Sequence, residues 1–87
     1  MHEVEITPEG LRQLDQLPAK VRAAVIEAIL GSIAENPRRA GKPLRGELGG
    51  LYSARRGEFR VIYEIDEVEQ VVLVHRAQHR SRAYRIR

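Results

Sequence analysis

The fold is decided by residues 51–66, which read Leu51-Tyr-Ser-Ala-Arg-Arg-Gly-Glu-Phe-Arg-Val-Ile-Tyr-Glu-Ile-Asp66. Gly57 marks a turn, so residues 51–56 and 59–66 predict a β-hairpin. Residues 70–78 predict a third strand. Side chains alternate between two faces in both of the longer predicted strands. In residues 59–66 the residues on one face are Phe59, Val61, Tyr63 and Ile65, and those on the other are Arg60, Ile62 and Glu64. In residues 70–78 the residues on one face are Val71, Leu73 and His75, and those on the other are Val72, Val74 and Arg76.

The N-terminal third predicts a short strand and a helical hairpin. The opening strand is indicated by Val4 and Ile6, which alternate with glutamates. Thr7-Pro8-Glu9 is typical of a helix start, with a hydroxyl cap, proline at the first position and an acid near the positive end of the dipole. Leu11 and Leu14 are expected to face inward. A second helix is predicted over Pro18–Asn36, where apolar residues recur at helical spacing, namely Val21, Ala24, Val25, Ala28, Ile29 and Ile33.

These elements predict one α+β domain over residues 1–87. The helical hairpin is expected to pack on one face of a small, mainly antiparallel four-stranded sheet. Residues 37–50, rich in Arg, Gly and Pro, are predicted to form a loop, and Arg80–Tyr84 a short helical turn.

The charge of the chain is distributed unevenly. Residues 1–36 contain three Lys/Arg and six Asp/Glu, whereas residues 37–87 contain twelve Lys/Arg and six Asp/Glu. The net charge of +3 therefore conceals a basic C-terminal half. Arginine presents a fixed fork of donors that suits phosphate, so arginines on the predicted sheet favour a phosphodiester ligand. The alternative is a solvated basic surface that keeps a small protein soluble.

Composition excludes several kinds of site. The chain has no cysteine, which rules out a disulfide framework and zinc–thiolate sites and fits a reducing cytoplasm. His2, His75 and His79 lack the clustered spacing of a metal site, so no metal is predicted. No apolar run is long enough to cross a bilayer, and no membrane association is expected.

Three ordered segments carry a resemblance to a known family. They are Lys42-Pro-Leu-Arg-Gly-Glu-Leu48, the hairpin of residues 51–66, and Val74-His-Arg-Ala-Gln-His-Arg-Ser-Arg-Ala-Tyr84. Together they resemble the RelE/ParE toxin family, and most closely its RelE branch.

The resemblance implies the toxin of a type II toxin–antitoxin pair. Toxins of the RelE branch cut messenger RNA in the ribosomal A site, with the 2′-hydroxyl as nucleophile and without a metal or other cofactor. The implied partners are a RelB-like antitoxin, the 70S ribosome and its mRNA, with operator DNA bound only through the antitoxin complex. The implied location is the cytoplasm.

The resemblance also implies roles for individual residues. Arg60 matches the strand arginine that holds the scissile phosphate, and Arg80 matches the arginine assigned to the transition state or the leaving group. Tyr84 matches the C-terminal tyrosine that stacks on a base or helps to activate the 2′-hydroxyl. Arg55 matches one of two basic positions on the preceding strand, while the other position, a lysine in some members, is Ser53 here.

The departure at Ser53 leaves the general base open. Arg56 is the candidate to replace the missing charge. His79 is the neighbouring side chain whose reference pKa, near 6.5, suits acid–base chemistry. The residues expected to contact RNA are Lys42, Arg45, Arg56, His79 and Arg82.

Each candidate also has a structural interpretation, and two other functions stay open. Arg60 could pair with a glutamate across the strands, Arg80 and Arg82 could be a solvated face, and Tyr84 could cap the core. The main functional alternative is a ParE-like toxin that inhibits DNA gyrase without cutting RNA. A third is an inactive module that binds RNA or antitoxin.

Overall fold

A computed structural model describes residues 1–79, so the predicted turn at Arg80–Tyr84 lies outside the described residues. The strands in this part of the chain are β1 (Glu3–Ile6), β2 (Lys42–Pro43), β3 (Leu51–Arg56), β4 (Phe59–Asp66) and β5 (Val71–His79). The helices are α1 (Pro8–Gln16), α2 (Ala19–Ala28), which continues as a π-helical turn (Ile29–Ile33), and α3 (Pro37–Ala40); a 3₁₀ turn spans Gly46–Leu48. The α+β prediction is confirmed.

The described strands form one mixed sheet in the order β1-β5-β4-β3-β2. β1 runs parallel to β5, and the other neighbours are antiparallel. Residues 1–79 thus contribute five strands, and the prediction of four was wrong. The additional strand is β2, whose two residues include a proline and lie in the predicted loop. A segment this short shows no alternation from which a strand could be recognised.

The helical hairpin covers one face of the sheet, called here the helix face. Thr7 caps α1 by accepting a hydrogen bond at Oγ1 from the Gly10 amide at 3.1 Å. α1 meets the sheet along Gly10 and Leu14, and a Cβ at Gly10 would lie 3.1 Å from the Val74 carbonyl oxygen. This close approach leaves Leu11 half exposed, at 50%, so the prediction that it faces inward was wrong.

The central strand β4 divides the molecule into a core and an exposed surface. Val61 and Tyr63 are buried on the helix face, where they pack with α2 and β5. Arg60, Ile62 and Glu64 point to the opposite face, called here the outer face, and are half-buried. The predicted alternation of β4 is confirmed.

A β-bulge in β5 changes which residues reach the core. The register passes from Tyr63↔Val74 to Ile62↔Arg76, which leaves His75 as the extra residue. Val74 and Ala77 are both buried, whereas Arg76 is exposed beside Ile62. The strict alternation that placed Arg76 on the face of Val74 was therefore wrong, because one added residue reverses the side on which the following residues point.

The hydroxyl of Tyr63 attaches the segment after α2 to the core. It donates a hydrogen bond of 2.6 Å to the Pro37 carbonyl, and the Tyr63 side chain is 0% exposed. A Cβ at Gly41 would lie 2.5 Å from the same hydroxyl oxygen and 2.9 Å from the Ser53 carbonyl oxygen. Only a glycine allows the chain to pass this closely over the edge of the sheet, so Tyr63 and Gly41 together fix where β2 begins.

Stability above about pH 10 should depend on Tyr63. Burial raises the pKa of Tyr63 from 10.0 to about 12, with a smaller contribution from Tyr52. Between these values the unfolded chain releases the phenolic proton while the folded protein keeps it, so the free energy of unfolding falls as pH rises. Urea denaturation across this range should show a smaller fall for Tyr63→Phe than for wild type.

Near neutral pH, Tyr63→Phe should lower the free energy of unfolding by about 1–3 kcal/mol, because the Pro37 carbonyl loses its donor. Tyr52→Phe is the matched control, since the Tyr52 ring stacks on Tyr63 at 5.8 Å but its hydroxyl accepts a hydrogen bond from the exposed Arg38. Equal stability of Tyr63→Phe and wild type would contradict the assigned role.

Candidate functional site

The outer face carries a basic cleft at the end of the sheet formed by β2, β3 and β4. The cleft has a volume of about 600 Å³ and lies between the segment after Asn36 and the ends of β3 and β4. The residues that line it, which define the basic cleft, are Arg39, Ala40, Gly41, Lys42, Pro43, Leu44, Ser53, Arg55 and Arg60.

Two arginines form the floor of the basic cleft. Arg55 of β3 and Arg60 of β4 are direct partners in the antiparallel register, so their side chains lie on the same face. Directly opposed residues have Cβ atoms about 4.5–5.5 Å apart, and like charges at that separation destabilise a sheet. Two guanidinium groups this close together on an exposed face favour a role in binding an anion.

Lys42 adds a third cation from the neighbouring strand. It is the register partner of Ser53, which shares the outer face with Arg55 two residues further along β3. The structure thus brings together three of the predicted residues, Lys42, Arg55 and Arg60. Arg45 is exposed before the 3₁₀ turn and does not line the cleft.

Arg56 lies on the helix face, away from the cleft. Its guanidinium donates hydrogen bonds to Ser32 Oγ and to the Arg55 carbonyl oxygen, the latter at 2.7 Å. The two-residue period of β3 requires this, because neighbours in a strand point to opposite faces. The sequence suggested that Arg56 replaces the charge that is missing at Ser53, but the structure places Arg56 on the opposite face from Ser53.

His79 also lies on the helix face. It is paired with Phe59, and the two rings meet edge to face at 5.2 Å. Its Nε2 lies 2.9 Å from Glu58 Oε1. The structure does not bring this imidazole into the cleft with Arg55 and Arg60. The remaining predicted residues, Arg80, Arg82 and Tyr84, lie outside the described residues.

Arg39 is a cleft residue that the sequence interpretation missed. It follows the Asn36-Pro37 pair, where the Asn36 side chain accepts a hydrogen bond from the Arg39 amide at 3.4 Å and starts α3. Its neighbour Arg38 instead pairs with Glu67 at 2.6 Å, and this carboxylate raises the pKa of Arg38. An Asn-Pro helix start in a basic segment was the signal that could have indicated an ordered arginine.

The outer face continues beyond Arg60 into a smaller hollow of about 380 Å³, which mixes apolar and polar residues. Arg60 and Leu44 line both cavities, and Arg76 lines the smaller one. At the far end of the same face lies an acidic hollow of about 290 Å³, lined by Glu3, Glu5, Glu64, Asp66, Glu69, Val71 and Leu73. The outer face is thus basic at one end and acidic at the other.

Comparison with known proteins decides the family. A sequence model described as "ParE toxin of type II toxin-antitoxin system, parDE" matches residues 4–84. The chain belongs to the RelE/ParE family of type II toxin–antitoxin toxins. It is 45% identical over 85 residues to Toxin RelE of Mycobacterium tuberculosis, covering 98% of this chain and 88% of that protein. It is 43% identical over 84 residues to Toxin RelG of the same organism, covering 97% of each.

A solved structure supports the same assignment. The crystal structure of the toxin–antitoxin complex RelBE2 from Mycobacterium tuberculosis is similar with a TM-score of 0.88 and 43% identity, covering 91% of this chain and 98% of that one. The predicted membership of the RelE/ParE family and the predicted fold class are both confirmed.

A larger hollow of this RelE/ParE chain lies on the helix face, but none of the charged residues of the basic cleft lines it. It has a volume of about 740 Å³ and is a largely apolar groove between α2 and the β3–β4 hairpin. Within residues 1–79, no group of three or more His, Cys, Asp or Glu side chains is arranged to hold a metal ion. No helix of this described part is long and apolar enough to cross a membrane.

Relieving the repulsion on the cleft floor should stabilise the free protein. Arg55→Gln keeps a polar side chain that can form hydrogen bonds but removes one of two opposed like charges, so the free energy of unfolding should rise by about 0.2–1 kcal/mol at low ionic strength. The gain should shrink at high ionic strength because salt screens exposed charges.

Urea denaturation at two salt concentrations measures this effect. Lys20→Gln, which removes an exposed charge on α2, is the control and should leave stability nearly unchanged. A destabilised Arg55→Gln protein at low salt would show that Arg55 has a stabilising role in the fold.

Proposed function

We propose that this chain is a ribosome-dependent endoribonuclease that cuts messenger RNA in the ribosomal A site. The observation that carries the proposal is the direct opposition of Arg55 and Arg60 in an open cleft, with Lys42 beside them. The similarity to proteins named Toxin RelE and Toxin RelG supports the same activity.

The chemistry of RNA cleavage fits a cluster of fixed cations. Attack by the 2′-hydroxyl on phosphorus develops extra negative charge on the phosphoryl oxygens, and preorganised guanidinium groups stabilise that charge. Arg55 and Arg60 project from a hydrogen-bonded strand pair, so little rearrangement is needed when RNA binds. The products are a 2′,3′-cyclic phosphate and a 5′-hydroxyl.

Dependence on the ribosome is proposed because the described functional side chains of this cleft are cations. Cations can bind phosphate but do not by themselves orient the 2′-hydroxyl for attack. Holding the message in line for attack can supply about 7–11 kcal/mol of the barrier, and here the ribosome provides that positioning. Arg39 and Arg45 are then available to contact phosphates of the message or of ribosomal RNA.

The C-terminal residues complete the proposed site. Arg80 is proposed to stabilise the transition state or the leaving group, and Tyr84 to stack on a base or to activate the 2′-hydroxyl, with Arg82 contacting RNA. β5 is the neighbour of β4 in the sheet, and its Gln78 is the register partner of Arg60.

Arg60→Ala should lower the rate of message cleavage by about 10²–10³-fold, because one preorganised donor to the phosphate is lost. The measurement is single-turnover cleavage on programmed ribosomes, with mapping of the new 5′ ends. Arg12→Ala, an exposed arginine of α1, is the matched control and should cut at the wild-type rate. Equal rates for Arg60→Ala and Arg12→Ala would remove Arg60 from the site.

Cleavage should persist when divalent ions are removed from the toxin, because the charge of the phosphate is met by arginines. The toxin is treated with EDTA and desalted before addition to intact ribosomes, since the ribosomes need their own magnesium. Purified protein should cut naked RNA of the same sequence far more slowly. A need for added metal by the toxin, or efficient cutting of naked RNA, would contradict this mechanism.

A second candidate function is inhibition of DNA gyrase, favoured by the ParE description of the matching family model. A gyrase cleavage assay with the purified chain tests it directly. Accumulation of cleaved DNA together with intact messages would replace the RNA-cleaving proposal.

The proposed partner that silences the toxin is a RelB-like antitoxin. The similar RelBE2 structure is itself a toxin–antitoxin complex, which supports this partner. Operator DNA is proposed to bind only through the complex, in the cytoplasm. An acidic antitoxin segment would suit the basic cleft, and co-purification with the product of the adjacent gene tests the pairing.

A further inference from the structure

We infer that Lys42 is the proton donor of the basic cleft and protonates the 5′-oxygen that leaves when the message is cut. This inference rests on the proposed RNA cleavage and assigns one step of it to a named side chain. It differs from the role in phosphate contact that the sequence suggested for Lys42.

The position of Lys42 comes from the pairing of β2 with β3. Lys42 is opposite Ser53, and Ser53 is followed two residues later by Arg55, which is opposite Arg60. Opposed residues and residues two apart in a strand share a face, so all four side chains project from the outer face. They also line the same cleft. An ammonium group on a long flexible stem therefore projects from the same face, and into the same cleft, as the two guanidinium groups.

The backbone of β2 is held firmly enough to present this side chain. On one side the Tyr63 hydroxyl binds the Pro37 carbonyl at 2.6 Å, and Gly41 passes against the Tyr63 hydroxyl and the Ser53 carbonyl. On the other side the Leu44 amide donates to the Leu51 carbonyl at 2.8 Å. The anchoring contacts flank Lys42, while its side chain is exposed to the cleft and to an incoming ligand.

Proton transfer selects Lys42 from the other residues of the cleft. Arginine remains charged throughout the accessible pH range and is a poor proton donor, whereas a lysine ammonium can give up a proton. Of the described residues that line the cleft, Lys42 alone is a cationic acid of this kind. His79, the acid–base candidate from the sequence, is on the helix face beside Glu58.

In the proposed step one bond to phosphorus forms, one bond to phosphorus breaks, and two protons move. The 2′-oxygen bonds to phosphorus and its proton leaves to a water molecule, while the bond between phosphorus and the 5′-oxygen breaks. Lys42 passes one proton from its ammonium to the 5′-oxygen, which yields the 5′-hydroxyl. The neutral amine then takes a proton from the solvent, so the site gains and loses one proton in each cycle.

A sulfur-substituted message tests this assignment, since a 5′-thiolate leaves without protonation. Two messages are compared on programmed ribosomes under single turnover: an all-oxygen message and one whose 5′-bridging oxygen at the cleaved bond is sulfur. Lys42→Ala and Lys42→Arg should each cut the oxygen message about 10²-fold or more slowly than wild type, and the sulfur message within about threefold of wild type. Arg60→Ala should be slow on both messages.

Two further variants separate Lys42 from a general effect of charge. Lys20→Ala removes the other lysine of the chain, which lies on α2, and should match wild type on both messages. Lys42→Ala combined with Ser53→Lys moves the ammonium to the opposing position on the same face and should recover at least about tenfold of the lost rate.

The opposite outcomes overturn the assignment. A fully active Lys42→Arg protein would show that only charge matters at this position. A loss in Lys42→Ala that is equally large on both messages would show that Lys42 does not protonate the leaving group. If wild type cuts neither message, the proposed function fails first, and this assignment fails with it.

Discussion

The two-residue period of β4 is the constraint on which the rest of the structure depends. Val61 and Tyr63 are buried on the helix face, and the intervening residues, Arg60 among them, must then appear on the outer face. The same burial that stabilises the domain thus fixes the direction of the arginine. A one-residue slip in this strand would exchange the core for the charged surface, so the fold and the cleft are specified together.

Much of this arrangement could be predicted from the sequence because it depends on the periodic spacing of apolar residues within single elements and on short turns. The alternation of residues 59–66 and the Thr7-Pro8-Glu9 helix start correspond to β4 and α1. The opposition of Arg55 and Arg60 follows from a two-residue hairpin connection, which sets the register of the whole strand pair. Where a feature repeats along the chain or is fixed by a short turn, neighbouring residues are enough to determine it.

The remaining features depend on contacts between distant segments. The pairing of Lys42 with Ser53 requires the chain to cross the edge of the sheet at Gly41, and no local sequence pattern predicts that crossing. The bulge at His75 likewise arises where β5 meets β4, and it turns Arg76 outward. Arg56 and His79 were assigned to the site because they are close in sequence to other predicted site residues. The geometry of the strands instead places both side chains on the helix face.

The opposite charges at the two ends of the outer face produce an electric dipole along this surface. The acidic hollow around Glu64 and Asp66 repels a polyanion, while the basic cleft attracts it. A polyanion approaching within about a Debye length, roughly 8 Å at physiological salt, would therefore experience a torque as well as an attraction. The described part of the molecule is an electric dipole whose basic cleft turns toward negative charge before any contact is made.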